Sequence, residues 1–370
     1  MKWNYEIPSP KKEVLLTIER GLLHVEAPNI LAALDRPLAV ISDEKVAQLH
    51  AEPLCRRLRQ AGVACELLAF PQGENSKSHE TLKKLQEQLL EKGYGRDASI
   101  VAIGGGVVTD LAGFLASTYC RGIPVTLIPT SLLGMVDAAI GGKTGINMPK
   151  SKNFIGTIYQ PEAILIDPEV LETQPENSFR DGLVEMIKHG LIWDVNHFDW
   201  IENHIEKLLK KEPDVLEKGI ADSCQIKLSI VLQDTLEGGM RRLLNFGHTI
   251  GHALESVSQY EMSHGTTVAI GCLVEGFLSD LSKQDLHRIG SLFQRIGIPV
   301  DCLRNISIEK VIHATCHDKK AINSVPRFVT LREMGRSHSH DGEYCAFMEK
   351  TKITKALEWM IHDLRQLAGT

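Results

Sequence analysis

Ser99–Asp110 reads SIVAIGGGVVTD, and this stretch decides the fold. Ser99–Ile103 is short, apolar and β-branched, which suits a buried strand. It runs into Gly104, Gly105 and Gly106, and a helical pattern follows over Asp110–Ser117. Glycine lets the backbone turn sharply and approach a phosphate, and a helix N-terminus offers unpaired N–H groups. The unit therefore suits a pyrophosphate, although a plain tight turn would read the same. The spacing GGGVVTD is not GxGxxG, so the usual dinucleotide fingerprint is absent.

Outward from this unit the pattern repeats. Leu38–Ile41 and Val63–Phe70 read as strands, Glu44–Arg59 and Ser78–Lys92 as helices, and Val125–Ile128 as a further strand. Strands alternating with helices imply a parallel sheet covered on both faces, with ligands at the carboxyl ends of the strands. Asp43 follows the first strand, where it can accept from a ribose hydroxyl or cap the next helix. Gly73, Glu74 and Lys77 follow the second, placing both signs of charge at the same edge.

From Pro175 onward the pattern is helical, with strand-like residues only near Arg327–Leu331 and Tyr344–Met348. The expected division is an α/β domain over residues 1–174 and a mostly helical domain over 175–370, with the active site between them. Arg336–Asp341, RSHSHD, reads as a polar loop.

Composition bounds the function. The 370 residues are 43% hydrophobic and 24% charged, with a net charge of −6. A nucleic-acid partner, which needs a basic face, is not expected. No run approaches the roughly 20 apolar residues of a membrane span, and Met1–Pro10 holds no signal-like apolar core. Eight scattered cysteines without a CxxC pair suggest reduced, buried thiols and a cytoplasmic protein.

Two stretches carry chemistry. Pro129–Asn153, PTSLLGMVDAAIGGKTGINMPKSKN, sets Thr130, Ser131, Asp137, Lys143, Lys152 and Asn153 among glycines, and Arg121 lies just upstream. Lysines on such a turn suit a phosphate or carboxylate. Arg241–His252, RRLLNFGHTIGH, places His248 and His252 four apart on one helical face, and His264 follows. Glu185 and Lys188 share a face in GLVEMIKHG. A catalytic zinc takes three protein ligands, and the candidates are His248, His252, His264, Glu255 and Glu185. HTIGH has the spacing of the metalloprotease HExxH, but Thr249 stands where the general base must be, which excludes that reading.

Taken together, these blocks resemble 3-dehydroquinate synthases, of the sugar phosphate cyclase family. The resemblance rests on GGGVVTDLAGFLASTYCRG, IPTSLLGMVDAAIGGKTGIN, KNFIGTIYQP, GLVEMIKHGLI, RRLLNFGHTIGHALE, HGTTVAIG and the late Asp318-Lys319-Lys320. It implies a Rossmann-like parallel-sheet NAD domain, a mostly α-helical metal-binding domain and a homodimer. The implied reaction turns 3-deoxy-D-arabino-heptulosonate 7-phosphate into 3-dehydroquinate and phosphate, with NAD regenerated and zinc or cobalt as the metal. Glu185, His248 and His264 match the metal ligands. Asp43, Gly73, Glu74, Lys77, Gly105, Gly106, Val107, Val108, Thr109, Asp110, Thr130, Ser131, Lys143, Lys152 and Val170–Thr173 (with Leu171 and Glu172) match the NAD-binding set. Asp137, Lys143, Lys152, Asn153, Lys188, Lys227, Arg241, Asn245 and His252 match the substrate set, joined by Arg121, Lys319 and Lys320.

Departures from the family pattern are Thr109 for a usual Gly, Ser131 for Thr, Thr266 for Glu, and Lys45 near a usual Asn. The competing readings are a cyclase acting on another sugar phosphate and a metal-dependent polyol dehydrogenase, which shares the architecture.

Overall fold

The computed structural model describes residues 12–149, 151–259, 261–299, 306–316, 321, 323 and 325–362. It divides into two compact units. The first takes the described residues up to Thr130 and then Gly142–Asp167; the second takes Ser131–Gly141 and the described residues from Pro168 onward.

In the first unit, β1 (Leu15–Ile18), β2 (Leu38–Asp43), β3 (Cys65–Phe70), β4 (Ser99–Gly104), β5 (Val125–Pro129) and β8 (Ala163–Ile166) form one parallel sheet. Its order is β1-β8-β5-β4-β2-β3. Every residue of β2, β4, β5 and β8 is buried, as strands covered on both faces must be. The edge strand β3 instead alternates buried and exposed positions.

The connections are α1 (Glu26–Ala32), α2 (Glu44–Val46) continuing through a π-helical turn into α3 (Glu52–Gln60), α4 (His79–Glu91) and α5 (Gly106–Thr118). The last of these begins at Gly106 rather than at Asp110, so the glycines are themselves the helix N-terminus. Gly104 tolerates no side chain, because an added Cβ would lie 2.4 Å from the Val108 side chain.

The glycine-rich stretch after β5 is split between the units. A π-helical turn, Gly134–Ala138, belongs to the second unit. Then β6 (Lys143–Met148) and β7 (Ser151–Ile158) form an antiparallel ribbon in the first, which periodicity had not revealed.

The second unit packs α6 (Glu176–Trp193), α7 (Val195–Leu209), α8 (Pro213–Gln233), α9 (His248–Val257), α10 (His264–Leu278), α11 (Lys283–Arg295), α12 (Ile308–Thr315) and α13 (Lys350–His362). Its centre is α10, buried at every position from Gly265 to Gly276. A helix apolar all round belongs in a core.

Short strands occur in both expected places. β9 (Arg327–Phe328) pairs with β12 (Ala346–Phe347), and β10 (Leu331–Glu333) pairs with β11 (Arg336–Ser337). RSHSHD is therefore not wholly a loop: it starts as a strand, and the rings of His338 and His340 then stack at 4.0 Å. His340 Nε2 meets Thr330 Oγ1 at 2.7 Å. Among the described residues Cys55, Cys65, Cys120, Cys224, Cys272, Cys316 and Cys345 are free thiols, and no helix is long and apolar enough to cross a membrane.

Candidate active site

The expected nucleotide residues of the first unit gather at one edge of the sheet, because parallel strands all end on the same side. Asp43 closes β2 and accepts from the backbone N–H of Lys45 and Val46, so it does act as a helix cap. Beyond β3, Gly73 has φ +111°, a conformation that favours glycine, and turns the chain into Glu74–Ser76. Gly105 stands at the N-cap of α5 with no side-chain cap, so no capping side chain claims the first N–H groups after it. Thr109 is buried and donates to the Gly106 carbonyl. Thr130 donates its backbone N–H to the Gly104 carbonyl.

Lys77 joins the edge to the β6–β7 ribbon. Its Nζ lies 2.5 Å from Asp110 Oδ2 and also hydrogen-bonds Asn153. Glu74 accepts from Asn147 Nδ2 at 2.7 Å. Lys143, Asn153 and Arg121 are exposed, and Lys152 is half-buried. Arg121 and Asn153 have positive φ, at +67° and +54°.

The second unit builds a centre from buried charge. Glu185 lies on α6, His248 opens α9 and His264 opens α10, and one donor atom from each lies within 4.8 Å of the others. Glu185 Oε1 stands 3.7 Å from Nε2 of each histidine and makes no hydrogen bond. Donors sharing a tetrahedral ion at ~2.0–2.1 Å stand ~3.4 Å apart, so this set fits a divalent metal.

The other ring nitrogens are occupied. His248 Nδ1 meets the Phe246 carbonyl at 3.2 Å, and His264 Nδ1 meets Glu255 Oε1 at 2.9 Å. Such partners fix which nitrogen faces the metal. Spacing had left Glu255 open as a ligand; in the structure it serves His264 instead. His252 is exposed, with its ring 5.3 Å from that of His248.

Lysines compensate the buried carboxylates. Lys188, 1% exposed, pairs with Glu185 and donates to the Leu244 carbonyl at 2.7 Å. Lys227 pairs with Asp137 Oδ1 at 2.6 Å. Burial alone would raise the Glu185 carboxyl, but Lys188, His248 and His264 hold it well below the usual carboxylate range. Burial likewise works against ionised Asp137, and Lys227 holds its carboxyl low.

Burial and Lys188 keep His248 neutral, as a metal ligand must be. Burial opposes a proton on His264, yet Glu185 and Glu255 raise it to about 10, so a bound cation would take the place of that proton. Arg241 is 1% exposed; Nη1 donates to the Thr235 carbonyl at 2.7 Å, and Nε has no partner. Asn245 donates to Glu237 Oε1 at 3.0 Å.

Asp137, Glu185, Lys188, Lys227, His248 and His264 are thus brought together within one unit. Val170–Thr173 form a 3₁₀ turn whose Leu171 carbonyl accepts from Lys211 at 2.6 Å. Lys319 and Lys320 lie outside the described residues. Sequence reading missed His189, fully buried, with Nδ1 against Ser223 Oγ at 2.8 Å and a donor atom within 4.8 Å of Asp137 and Glu185. Its only sequence signal was its place beside Lys188. Asp181 and Glu275 were also missed; both are ordinary helix carboxylates in sequence.

This fold is shared with solved synthases. One is ValA, 2-epi-5-epi-valiolone synthase from Streptomyces hygroscopicus, with NAD+ and Zn2+ bound: 27% identity, TM-score 0.87, covering 97% of this chain and 100% of that one. A 2-deoxy-scyllo-inosose synthase complexed with carbaglucose-6-phosphate, NAD+ and Co2+ matches in fold at 24% identity and TM-score 0.84, covering 92% and 95%.

Residues 67–181 match the model of the 3-dehydroquinate synthase N-terminal region, and 182–321 that of its C-terminal region. A 3-dehydroquinate synthase of Acidithiobacillus ferrooxidans is 43% identical over 304 residues, 81% of this chain and 83% of the relative. The chain belongs to the 3-dehydroquinate synthase family.

Proposed function

We propose that this chain is a 3-dehydroquinate synthase of the shikimate pathway, serving chorismate and aromatic amino acid biosynthesis with NAD and one zinc or cobalt ion. It releases phosphate from 3-deoxy-D-arabino-heptulosonate 7-phosphate, a carbon–oxygen lyase reaction, and closes the carbocycle. The observation that carries this is the Glu185–His248–His264 set, built on a fully buried Glu185, with the buried cations Lys188, Lys227 and Arg241 in the same unit, in a chain of this family.

When bound, the metal makes a substrate hydroxyl more acidic and NAD takes up and returns a hydride. The chain's own residues position and neutralise. Glu185, His248 and His264 hold the metal, and Lys188 sits against the Glu185 carboxylate. Arg241, with an unpartnered Nε, suits the substrate carboxylate in a two-pronged contact beside Asn245 and His252. Lys143, Lys152, Asn153, Lys227 and Asp137 hold the remaining oxygens. The family resemblance assigns one or both of Lys319 and Lys320 to the substrate.

The nucleotide lies along the edge formed by Asp43, Gly73, Glu74, Lys77, Gly105–Asp110 and Thr130; the family resemblance adds Ser131 and Val170–Thr173 to the NAD-binding set. The enzyme works in the cytoplasm as a homodimer. Arg121, exposed on its turn, is available to the phosphate from a second copy.

Phosphate release separates this function from its neighbours. Turnover of the heptulosonate phosphate without net NADH is expected. Turnover of only sedoheptulose 7-phosphate or glucose 6-phosphate would assign another cyclase, and steady accumulation of NADH a polyol dehydrogenase.

A further inference from the structure

The metal set depends on where two helices begin, since His248 is the first residue of α9 and His264 the first of α10. The start of α9 has no local cap: Gly247 stands at the N-cap with φ +78° and offers no side chain. Its orphan N–H groups go instead to Glu275, on α10. Glu275 Oε2 accepts from Gly247 N at 2.8 Å, and Oε1 accepts from Thr249 N at 3.1 Å and Ile250 N at 3.3 Å. Glu275 is fully buried. Burying a carboxylate is costly unless it is compensated; a cluster of backbone donors at the positive end of a helix compensates it.

Close approach of the two helices makes this reach possible. A Cβ on Gly271, one turn before Glu275, would stand 1.9 Å from the Gly247 carbonyl oxygen.

The same arrangement recurs one helix over. Asp181, four residues before Glu185 on α6, accepts at Oδ1 from Ser263 Oγ at 2.8 Å and from Gly265 N at 3.1 Å. Ser263 is the N-cap of α10. The helix carrying the first ligand therefore ties down the start of the helix carrying the third. That helix ties down the start of the helix carrying the second. Glu255 on α9 closes the ring by accepting from His264 Nδ1.

We propose that Asp181 and Glu275 are positioning residues of the metal centre, holding the first turns of α10 and α9 so that His264 and His248 meet Glu185 before a metal arrives. Neither carboxylate touches the ligand atoms; each acts through the backbone that carries a ligand. The inference rests on reading Glu185, His248 and His264 as metal ligands.

The test uses the full-length protein with Glu275→Gln and Asp181→Ala. Zn2+ affinity is measured by competition with a chromophoric chelator, the Co2+ visible spectrum reports coordination geometry, and thermal melts are run with and without metal. Glutamine has one oxygen, so E275Q must leave a backbone N–H facing an amide NH2. Each variant is expected to bind Zn2+ roughly 10–100-fold more weakly, the loss typical when groups orienting metal ligands are removed, and to change the Co2+ spectrum.

Variants that melt earlier without metal, yet bind Zn2+ within about twofold of the parent and keep its Co2+ spectrum, would assign a merely structural role and overturn the proposal. If E275Q does not fold, Asp181→Ala decides alone, because Asp181 is only half-buried and alanine removes the Oδ1 acceptor that asparagine keeps. A parent that binds no Zn2+ or Co2+ would sink the metal reading itself along with this inference.

Discussion

The sheet edge of the first unit and the helical centre of the second are built by opposite means. At the edge, the backbone does the work: strands end together, glycines turn, and a helix begins with unclaimed N–H groups. Some of its charged side chains, Lys143 and Arg121 among them, are exposed, while Lys77 is buried against Asp110. In the centre, Glu185, Lys188 and Arg241 are at most 1% exposed. Glu185 and Lys188 are tolerable there only because each lies against the other. A nucleotide brings its own charge and shape to a waiting edge, whereas a metal needs donors already in place. The edge should therefore tolerate substitution, and the centre should not.

Breaking the centre at its ligands should have the largest effect. Glu185→Gln is expected to lower metal content below one-tenth of the parent and phosphate release by about 10³-fold or more. Parent-like metal content would remove Glu185 from the set. Next in size, Lys227→Met leaves Asp137 facing Glu185 without its cation. Lys227 is buried and Asp137 half-buried, so removing one partner costs up to about 3 kcal/mol, read as an earlier denaturant midpoint together with lost turnover. An unchanged midpoint would mean that the pair is not what makes the buried carboxylate tolerable.

A third test separates paired charge from buried neutrality within the same unit. His197 is 5% exposed, and neither ring nitrogen has a partner. Burial, partly offset by Asp222 and Asp194, lowers it from 6.5 to about 4. Between those values the unfolded chain binds a proton that the folded chain refuses. Stability should then fall as pH drops from about 6.5 to 4, by roughly 3 kcal/mol from this group, and not change further on its account below that. His197→Phe should flatten that part of the pH–stability curve; a curve that keeps its slope would exclude His197 as the source.

The smallest effect is expected at the edge. Lys77→Met, measured by NAD titration, should weaken binding about tenfold, roughly 1.4 kcal/mol, with turnover at saturating NAD little changed. A collapse of turnover at saturating NAD would erase the contrast between the two regions.

Much of this was legible in the chain, for identifiable reasons. The parallel sheet could be read because strands buried on both faces are continuous apolar runs such as Ser99–Ile103. The histidines stood out because the i, i+4 spacing of His248 and His252 marks a helical face. Periodicity did not show the β6–β7 ribbon, where Lys143–Ile158 mixes glycine, lysine and threonine without clean alternation. Nor did it show that Gly106 starts α5, since glycine is a poor helix former and is used there for backbone approach.

Residue type and local spacing determined the helix and strand segments, the glycine turn and the short list of candidate ligands. They depend on neighbours within a few residues, which a linear reading contains. Only the tertiary structure decided that Glu255 serves His264 rather than a metal. It alone placed Asp137 with Lys227, ninety residues away, and brought Glu275 back to the start of the helix that His248 opens. Those pairings arise from helices packing against each other, and local spacing carries no record of which distant carboxylate a buried N–H or ammonium group will meet.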